Sequence, residues 1–149
     1  MEVINQINNI NVLKILEETE SIMKGHFRLS SGYHSKYYLQ CAKLLQYPDK
    51  IALLIEKALE NFSKEINKQK IQTVISPALG GILFGYMLAY KLRIKMVFTE
   101  RKEKNMELRR GFKLKSGEKV IIAEDVITTG GSVFEVIDIC KNLRQILKV

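Results

Sequence analysis

The sequence has few of the residues that build disulfide scaffolds or metal centres. Its 149 residues include two cysteines and two histidines. Cys41 and Cys140 lie far apart, so a disulfide-stapled fold is not expected, and isolated thiols are typical of a reducing compartment. No group of cysteine and histidine has the spacing of a structural metal site.

Long apolar runs are missing as well. No stretch approaches the roughly 20 apolar residues that a membrane-spanning helix needs. The N-terminus, residues 1–5, lacks the basic-then-apolar pattern of a secretory signal. We therefore expect a cytoplasmic protein without a membrane partner. A composition of 46% hydrophobic and 27% charged residues over this length predicts one globular domain with a substantial core.

The charge is positive and unevenly distributed. The net charge is +8, and residues 101–119 alone carry eight basic and three acidic side chains. Such a concentration favours a polyanionic partner, either nucleic acid or a small, multiply phosphorylated substrate. A generally lysine-rich surface explains the scattered lysines elsewhere, but it explains this cluster less well.

Residues 120–132 combine a strand, an acidic pair and a turn rich in glycine and hydroxyl groups. Val120–Ala123 is an apolar run typical of a strand buried in a parallel sheet. Glu124 and Asp125 follow it, and Thr128–Ser132 opens into an amphipathic helical pattern. Backbone N–H groups at a helix start bind phosphate, and carboxylates accept hydrogen bonds from sugar hydroxyls. The stretch predicts a ribose-phosphate cradle; the alternative is an ordinary strand–turn–helix with an exposed acidic turn.

The rest of the chain predicts alternating strands and helices. Helical spacing covers residues 12–23, with Gly25 as the helix end, and two short strands around residues 27–29 and 37–40 form a hairpin-like cap. A β-ribbon with a polar face is the alternative for the cap. Later elements are expected as follows: helix from Asp49 to Ile66, strand 71–76, helix 82–92, strand 95–99, an irregular basic connection 100–112, strand 119–125 and helix 133–143.

This order predicts a parallel α/β sheet with right-handed crossovers. Ligands of such sheets bind at the carboxyl ends of the strands. Three segments should meet at that edge: the turn Pro77–Gly81, the basic segment after Thr99, and the loop Asp125–Ser132. The common nucleotide-binding loops, Gly-x-x-x-x-Gly-Lys-Ser/Thr and Gly-x-Gly-x-x-Gly, are absent from these positions.

Residues 120–132 resemble the phosphoribosyl-pyrophosphate motif of the type I phosphoribosyltransferases at all thirteen positions. The cap segment Gly25–Gln40 and its continuation to Gln46 are similar to the N-terminal signature of the orotate phosphoribosyltransferases. Arg101–Phe112 is similar to that family's mobile catalytic loop. The resemblance runs from about Gly25 to Lys141, and purine-specific members share only the motif at 120–132.

The resemblance implies an α/β fold, a type I phosphoribosyltransferase-like parallel sheet flanked by helices, with a small N-terminal cap or hood. One domain is expected, with the N-terminal helix and cap in residues 1–45 and the core in 46–149. The implied reaction transfers phosphoribose from phosphoribosyl pyrophosphate to orotate, giving orotidine monophosphate and pyrophosphate in pyrimidine synthesis. Magnesium is the implied cofactor. The implied partner is a second copy of the chain that shares its active sites, and no nucleic acid is expected.

Site residues are carried over by position. Lys102, Arg101 and Asp125 are the expected catalytic residues, with Lys104 in support near the pyrophosphate. Magnesium is expected to bind through substrate, with Asp125 as the one candidate protein ligand. Phosphoribosyl pyrophosphate should contact Arg101, Lys102, Lys104, Glu124, Asp125, Val126, Ile127, Thr128, Thr129, Gly130, Gly131 and Ser132. Orotate should contact Phe27, Ser30, Tyr37, Tyr38 and Thr128.

The sequence departs from the family pattern in three places. Many members have lysine where Ser30 and Gly80 stand. Family chains also continue for several dozen residues, with a strand and then an arginine that binds orotate's carboxylate. This chain ends at 145–149, where that strand would begin, so the C-terminal strands are expected to be missing. Two alternatives remain: a purine-type phosphoribosyltransferase and a non-catalytic regulator that binds phosphoribosyl pyrophosphate.

Overall fold

The computed structural model of the chain describes residues 11–29, 32–143 and 146–148. The chain divides into two compact units, residues 1–57 and 58–149. The boundary between the units falls inside a long helix, Pro48–Gln69. Among the described residues, no helix has both the length and the apolar character needed to cross a membrane.

The first unit is built around an antiparallel hairpin. Helix α1 (Val12–Glu18) precedes strands β1 (Ile22–Arg28) and β2 (His34–Leu39), which pair with each other. A short helix α2 (Cys41–Leu45) and the start of α3 (Pro48–Gln69) follow. The hairpin predicted for the cap is confirmed, with longer strands than expected.

The helix predicted over residues 12–23 was wrong beyond Glu18. Thr19 closes α1, because its hydroxyl donates to the carbonyl of Ile15 at 2.8 Å. Glu20 then adopts a left-handed backbone with φ 52°, which ends the helix. Ile22 and Met23 belong to β1 and pair with the end of β2. Their helical spacing was outweighed by cross-strand pairing, which spacing alone does not reveal.

The expectation that Gly25 ends a helix was also wrong. Gly25 lies inside β1, where the register shifts between Lys24 and Phe27. One extra residue is accommodated there, which is a β-bulge. A Cβ at Gly25 would lie 3.1 Å from the ring of Phe27, so the bulge has little room for a side chain.

Helix α3 confirms the predicted core helix, although it begins one residue earlier than expected. Pro48 takes the first helical position, where its fixed φ suits the helix and its missing N–H costs nothing. Asp49 therefore lies in the first turn, where its charge complements the helix dipole, and does not cap the helix. Ile51 and Ile55 are buried, as the apolar spacing predicted.

The second unit is a five-stranded sheet. Its strands are β3 (Thr73–Pro77), β4 (Lys95–Lys102), β5 (Asn105–Leu108), β6 (Lys119–Ile122) and β7 (Ile146–Lys148), in the order β5-β4-β3-β6-β7. All neighbouring pairs are parallel except β4 and β5. The α/β fold is confirmed, with a mixed, mostly parallel sheet. Strand β7 follows the last helix and pairs with β6, so the strand expected to begin near residue 145 is present as a short segment.

Residues 100–112 differ from the irregular connection that was predicted. Strand β4 continues to Lys102, a two-residue turn follows, and β5 returns antiparallel to it. Glu103 adopts φ 58° in that turn. Dense charge hid the strand pattern in the sequence, because Met106 and Leu108 are the only large apolar residues between 100 and 111. Leu108 packs against the core of the unit.

Two helices cover the sheet on opposite faces. Helix α4 (Gly80–Leu92) packs where Gly85 meets Ser76, and α5 (Gly131–Asn142) packs on the other face. The cluster under α5 contains the buried residues Ile75, Val97, Val120, Ile122, Val133, Val136 and Cys140. Ile75 and Ser76 are consecutive in β3, so their side chains leave the strand on opposite faces. The turns that precede both helices therefore lie at the carboxyl edge of the parallel strands.

Candidate active site

The turn after β3 and the acidic pair after β6 are in direct contact. A Cβ at Gly80 would lie 2.6 Å from Oδ1 of Asp125, and one at Gly81 would lie 3.1 Å from Oε1 of Glu124. This contact arises because β3 and β6 are parallel neighbours whose carboxyl ends share one edge. The predicted meeting of these two segments is confirmed, and glycine is the residue that lets them approach.

The acidic pair is held close together and partly shielded from water. Glu124 and Asp125 are each partly buried and are hydrogen-bonded to one another. Burial, together with the hydrogen bond and the charge of Asp125, raises the pKa of Glu124 to about 7. The pair therefore carries less than its full negative charge at neutral pH, while its oxygens remain hydrogen-bond acceptors.

The loop that follows ends at an open helix N-terminus. Gly130 precedes α5 with φ 81° and offers no side chain to cap the first turn. The backbone N–H of Phe134 bonds to Gly130, which closes the turn, and Thr128 and Thr129 are exposed beside it. Uncapped N–H groups at a helix start form a site for a phosphate.

The loop encloses only a small cavity of about 30 Å³, lined by Glu124, Val126, Ile127, Thr128, Gly130, Gly131, Ser132 and Val133. This volume has room for no more than a few water molecules. A ribose phosphate would therefore lie against the open side of the loop and not within it.

The basic hairpin of β4 and β5 places its two expected catalytic charges on opposite faces. Arg101 and Lys102 are consecutive in β4, so their side chains alternate across the strand. Arg101 turns toward α5, where its Nη2 donates to Oε2 of Glu135 at 2.7 Å. Its Nη1 donates to the carbonyl of Lys104 at 3.0 Å. Lys102 is exposed and leaves the strand on the opposite face from Arg101.

Two further arginines of this segment share one partner. Arg110 donates twice to Glu100, at 2.8 and 2.9 Å, and Arg109 lies 3.1 Å from the same carboxylate. The hydrogen bond from Arg110 and the nearby arginine charges hold the pKa of Glu100 below its usual value. Phe112 then packs edge-on against Phe98 with ring centroids 5.0 Å apart. The base of the hairpin is thus fixed by packing and by charge.

Sequence reasoning missed Glu100 and Glu135. Both are single acidic residues, and neither belongs to a recognisable motif. Their partners lie 10 and 34 residues away in the chain, so only the folded arrangement reveals the pairing. The one available signal was the excess of arginine nearby, which requires some local carboxylates.

The cap unit holds the residues expected to face the base. Phe27 and Tyr38 pack with ring centroids 5.5 Å apart, and Tyr37 is exposed and leaves β2 on the other face. Ser30 lies outside the described residues. His26 and His34, which the sequence did not single out, lie side by side on the two strands with ring nitrogens in contact.

Comparison with known proteins decides the family. Residues 46–145 match the family model described as phosphoribosyl transferase domain. Orotate phosphoribosyltransferase of Caldicellulosiruptor bescii is 46% identical over 138 residues, which cover 93% of this chain and 70% of that protein. The enzyme of the same name from Desulforamulus reducens is 46% identical over 137 residues, covering 92% and 70%. The chain belongs to the orotate phosphoribosyltransferase family.

Solved structures agree with this membership at the level of fold. An orotate phosphoribosyltransferase from Aeropyrum pernix has a TM-score of 0.79 at 24% identity, covering 92% of this chain and 77% of that one. An adenine phosphoribosyltransferase from Saccharomyces cerevisiae has a TM-score of 0.70 at 19% identity, covering 91% and 85%. Since purine enzymes share the fold, the assignment to the orotate phosphoribosyltransferase family depends on sequence similarity along the whole chain.

Proposed function

We propose that this chain transfers phosphoribose from phosphoribosyl pyrophosphate to orotate, giving orotidine monophosphate and pyrophosphate in pyrimidine nucleotide synthesis. The observation that carries the proposal is the contact between the Gly80–Gly81 turn and the Glu124–Asp125 pair, directly before an uncapped helix N-terminus. Similarity over more than nine-tenths of the chain to two orotate phosphoribosyltransferases supports orotate as the base.

The ribose end of the reaction needs a rigid hold. Positive charge develops at the anomeric carbon as the pyrophosphate leaves. Holding the sugar in a fixed orientation lowers the entropic part of the activation barrier. Glu124 and Asp125 would accept hydrogen bonds from the ribose hydroxyls. The backbone of Val126–Ser132 and the hydroxyls of Thr128, Thr129 and Ser132 would bind the 5′-phosphate. The raised pKa of Glu124 supports this role, because a partly neutral pair repels phosphate less.

The pyrophosphate end needs positive charge where negative charge grows. Arg101, Lys102 and Lys104 are the candidates, and all three are exposed on the hairpin. Because consecutive side chains of β4 lie on opposite faces of the strand, Arg101 and Lys102 have different surroundings. We therefore assign them separate contacts with the pyrophosphate. Closure of the hairpin over the site would also exclude water.

Magnesium fits the carboxylates of the site. Among residues 11–29, 32–143 and 146–148 no cluster of three or more His, Cys, Asp or Glu side chains could hold a metal ion. Magnesium is commonly bound by one or two carboxylates together with substrate phosphates and water. Asp125, beside Glu124, is the protein side chain that we assign to it. When bound, magnesium neutralises charge on the leaving pyrophosphate.

The cap unit would hold the base. Phe27 and Tyr38 provide packed aromatic surface, and Tyr37 an exposed ring and hydroxyl. We assign these residues, with Ser30 and Thr128, to orotate. Cys41 and Cys140 are buried thiols, which supports a reducing, cytoplasmic location.

We infer a homodimer from the outer face of α4. Leu79, Leu83, Tyr86 and Tyr90 are between 55% and 84% exposed and recur at helical spacing. Tyr86 and Tyr90 also line a groove of about 910 Å³, together with Met96, Phe98 and Phe112. A helix that is apolar on both faces is expected to be buried on both, and exposed apolar patches mark interfaces. A second copy of the chain presents the same surface and would cover it symmetrically.

One assay tests the proposed reaction. The chain is incubated with phosphoribosyl pyrophosphate, magnesium and orotate, and pyrophosphate release is compared with reactions containing adenine or hypoxanthine. Orotate-dependent release is expected, and it should fall about 100-fold in Asp125→Asn while the melting temperature is kept. Turnover with a purine but not with orotate would show that the protein is a purine-type phosphoribosyltransferase. No turnover with any base would favour a non-catalytic role.

A further inference from the structure

The ion pair between Arg101 and Glu135 links the basic hairpin to helix α5. The two side chains meet at 2.7 Å, although they lie 34 residues apart in the chain. Arg101 is also held by the carbonyl of Lys104 across the hairpin turn. These two bonds use only part of the fork of N–H donors that a guanidinium carries, so Arg101 can bind a further anion.

The position of Glu135 on the helix places this pair near the loop Asp125–Ser132, called the anion loop below. Helix α5 begins at Gly131, so Glu135 lies about one turn from the N–H groups expected to bind the 5′-phosphate. Arg101 reaches it because Arg101 shares a strand face with Val97, which packs against α5. The charge of a hairpin residue is therefore fixed at one end of the site.

Stability of the fold does not explain the pair. Its side chains are 49% and 40% exposed, and exposed ion pairs contribute little, about 0–1 kcal/mol. Asp138, on the same helix, makes only a 4.0 Å contact with Lys141 within α5 and does not reach the hairpin. Of these two acidic residues of α5, Glu135 is thus the one that links the helix to the hairpin.

We propose that Glu135 is a positioning residue, which orients Arg101 beside the anion loop so that its guanidinium meets the pyrophosphate of the substrate. This inference rests on the proposed function. Removing the carboxylate frees Arg101 to rotate, which weakens substrate binding without changing any group that touches the substrate.

The test compares Glu135→Gln with Asp138→Asn. In Glu135→Gln the KM for phosphoribosyl pyrophosphate should rise about three- to fivefold, the factor that corresponds to one exposed ion pair. The KM for orotate should stay unchanged, and Asp138→Asn should match the wild type. Glu135→Asp, which keeps the charge on a shorter side chain, should recover part of the loss.

A double-mutant cycle separates positioning from a general charge effect. If Glu135 acts through Arg101, then Arg101→Gln combined with Glu135→Gln should bind no more weakly than Arg101→Gln alone. Additive losses would overturn the proposal, as would an unchanged KM in Glu135→Gln. A lowered KM would also overturn it, because Glu135 would then restrain Arg101 away from the substrate.

The two proposals fail in different ways. If the wild-type chain made no orotidine monophosphate, the proposed function would fail whatever the variants did. Calorimetric titration with phosphoribosyl pyrophosphate and magnesium would still test Glu135 by the same three- to fivefold loss of affinity. If wild type were active and Glu135→Gln identical to it, only the positioning role would fail.

Discussion

At the scale of single residues, the carboxylate of Asp125 lies so close to the β3–α4 turn that position 80 has no space for a side chain. A Cβ there would come within 2.6 to 2.9 Å of three atoms of that carboxylate. The turn at position 80 thus lies directly against the carboxylate of Asp125, and glycine contributes no charge there.

Gly80→Ala should therefore lower activity more than stability. The added methyl group displaces Asp125, and a misplacement of about 1 Å in an active site can reduce turnover about 100-fold. Turnover is measured with saturating substrates, and folding is checked by circular dichroism and thermal unfolding. Gly117→Asn is the matched control, because nothing lies within 4 Å of a Cβ there and asparagine tolerates the φ of 76°. Equal activity of wild type and Gly80→Ala would show that this contact does not position Asp125.

Much of the acidic site followed from the sequence, because the signal there is local. Glu124 and Asp125 stand directly after an apolar run and before a glycine-rich turn. Consecutive residues therefore predict the strand, its carboxyl end and the loop that follows. Glu135 could not be found in this way. Its role depends on which face of β4 carries Arg101, and β4 itself was predicted to end at Thr99.

At the scale of elements, the extension of β4 into a hairpin decides where its charges point. Consecutive strand residues alternate, whereas an irregular loop could aim Arg101 and Lys102 in one direction. The arginine–glutamate pairs at Glu100 and Glu135 and the packing of Phe112 hold this arrangement. The two charges should consequently be separable by mutation.

Lys102→Ala should lower kcat strongly, by about tenfold or more, since charge stabilisation of a leaving group is expressed in the transition state. The melting temperature should not change, because Lys102 is exposed. Steady-state kinetics with varied phosphoribosyl pyrophosphate separate kcat from KM. Lys113→Ala, another lysine of the basic segment but outside the hairpin, is the control. A Lys102→Ala enzyme with normal kcat would remove Lys102 from the catalytic assignment.

The opposite end of the sheet depends on a buried glutamate. Glu118 accepts a hydrogen bond from the hydroxyl of Thr73, pairs with Lys95 at 2.7 Å and accepts the backbone N–H of Lys115 at 2.7 Å. It thus joins the starts of β3 and β4 to the turn before β6. Burial raises the pKa of Glu118, but the hydrogen bonds from Lys95, Thr73 and Lys115 outweigh it and hold that pKa below its usual value.

Glu118→Gln should destabilise the protein at pH 7 by about 1–3 kcal/mol, since hydrogen bonds to a buried charge are lost. A carboxyl whose pKa is lowered by folding stabilises the fold above its unfolded pKa of about 4.3 and loses this effect as the pH falls through the folded value. The difference between variant and wild type should therefore shrink below about pH 4. Urea unfolding from pH 7 to pH 3 measures it, with exposed Glu103→Gln as the control. A difference that did not depend on pH would mean that packing, and not charge, accounts for the role of Glu118.

At the scale of the whole molecule, sequence patterns predicted the class of fold better than the boundaries of its strands and helices. Apolar runs and helical spacing predicted β3, β4, β6, α4 and α5. In each of these elements, apolar residues that form the pattern pack into the core. Strand β5 and the first part of strand β1 were missed for the opposite reason. Their apolar residues are few, and pairing with a neighbouring strand determines their conformation.

The outer face of α4 is an exposed apolar surface that the core of the second unit does not cover. A monomer that kept Leu79, Leu83, Tyr86 and Tyr90 in water would expose an apolar patch along one helix. If a second copy covers this face, the loops at the carboxyl edge of each sheet are brought toward the partner, since α4 begins at that edge. Dimer formation and activity should then be lost together.

Leu83→Glu combined with Tyr86→Glu should convert a dimer into monomers, because two carboxylates cannot be buried in a symmetric apolar interface without large cost. Sedimentation velocity across micromolar concentrations measures the mass, and the activity assay is run on the same samples. Phe62→Glu is the matched control: Phe62 is 61% exposed but lies on α3, so this variant should remain dimeric. A wild-type chain that is fully monomeric and active at these concentrations would contradict the dimer, and the α4 face would then need another partner.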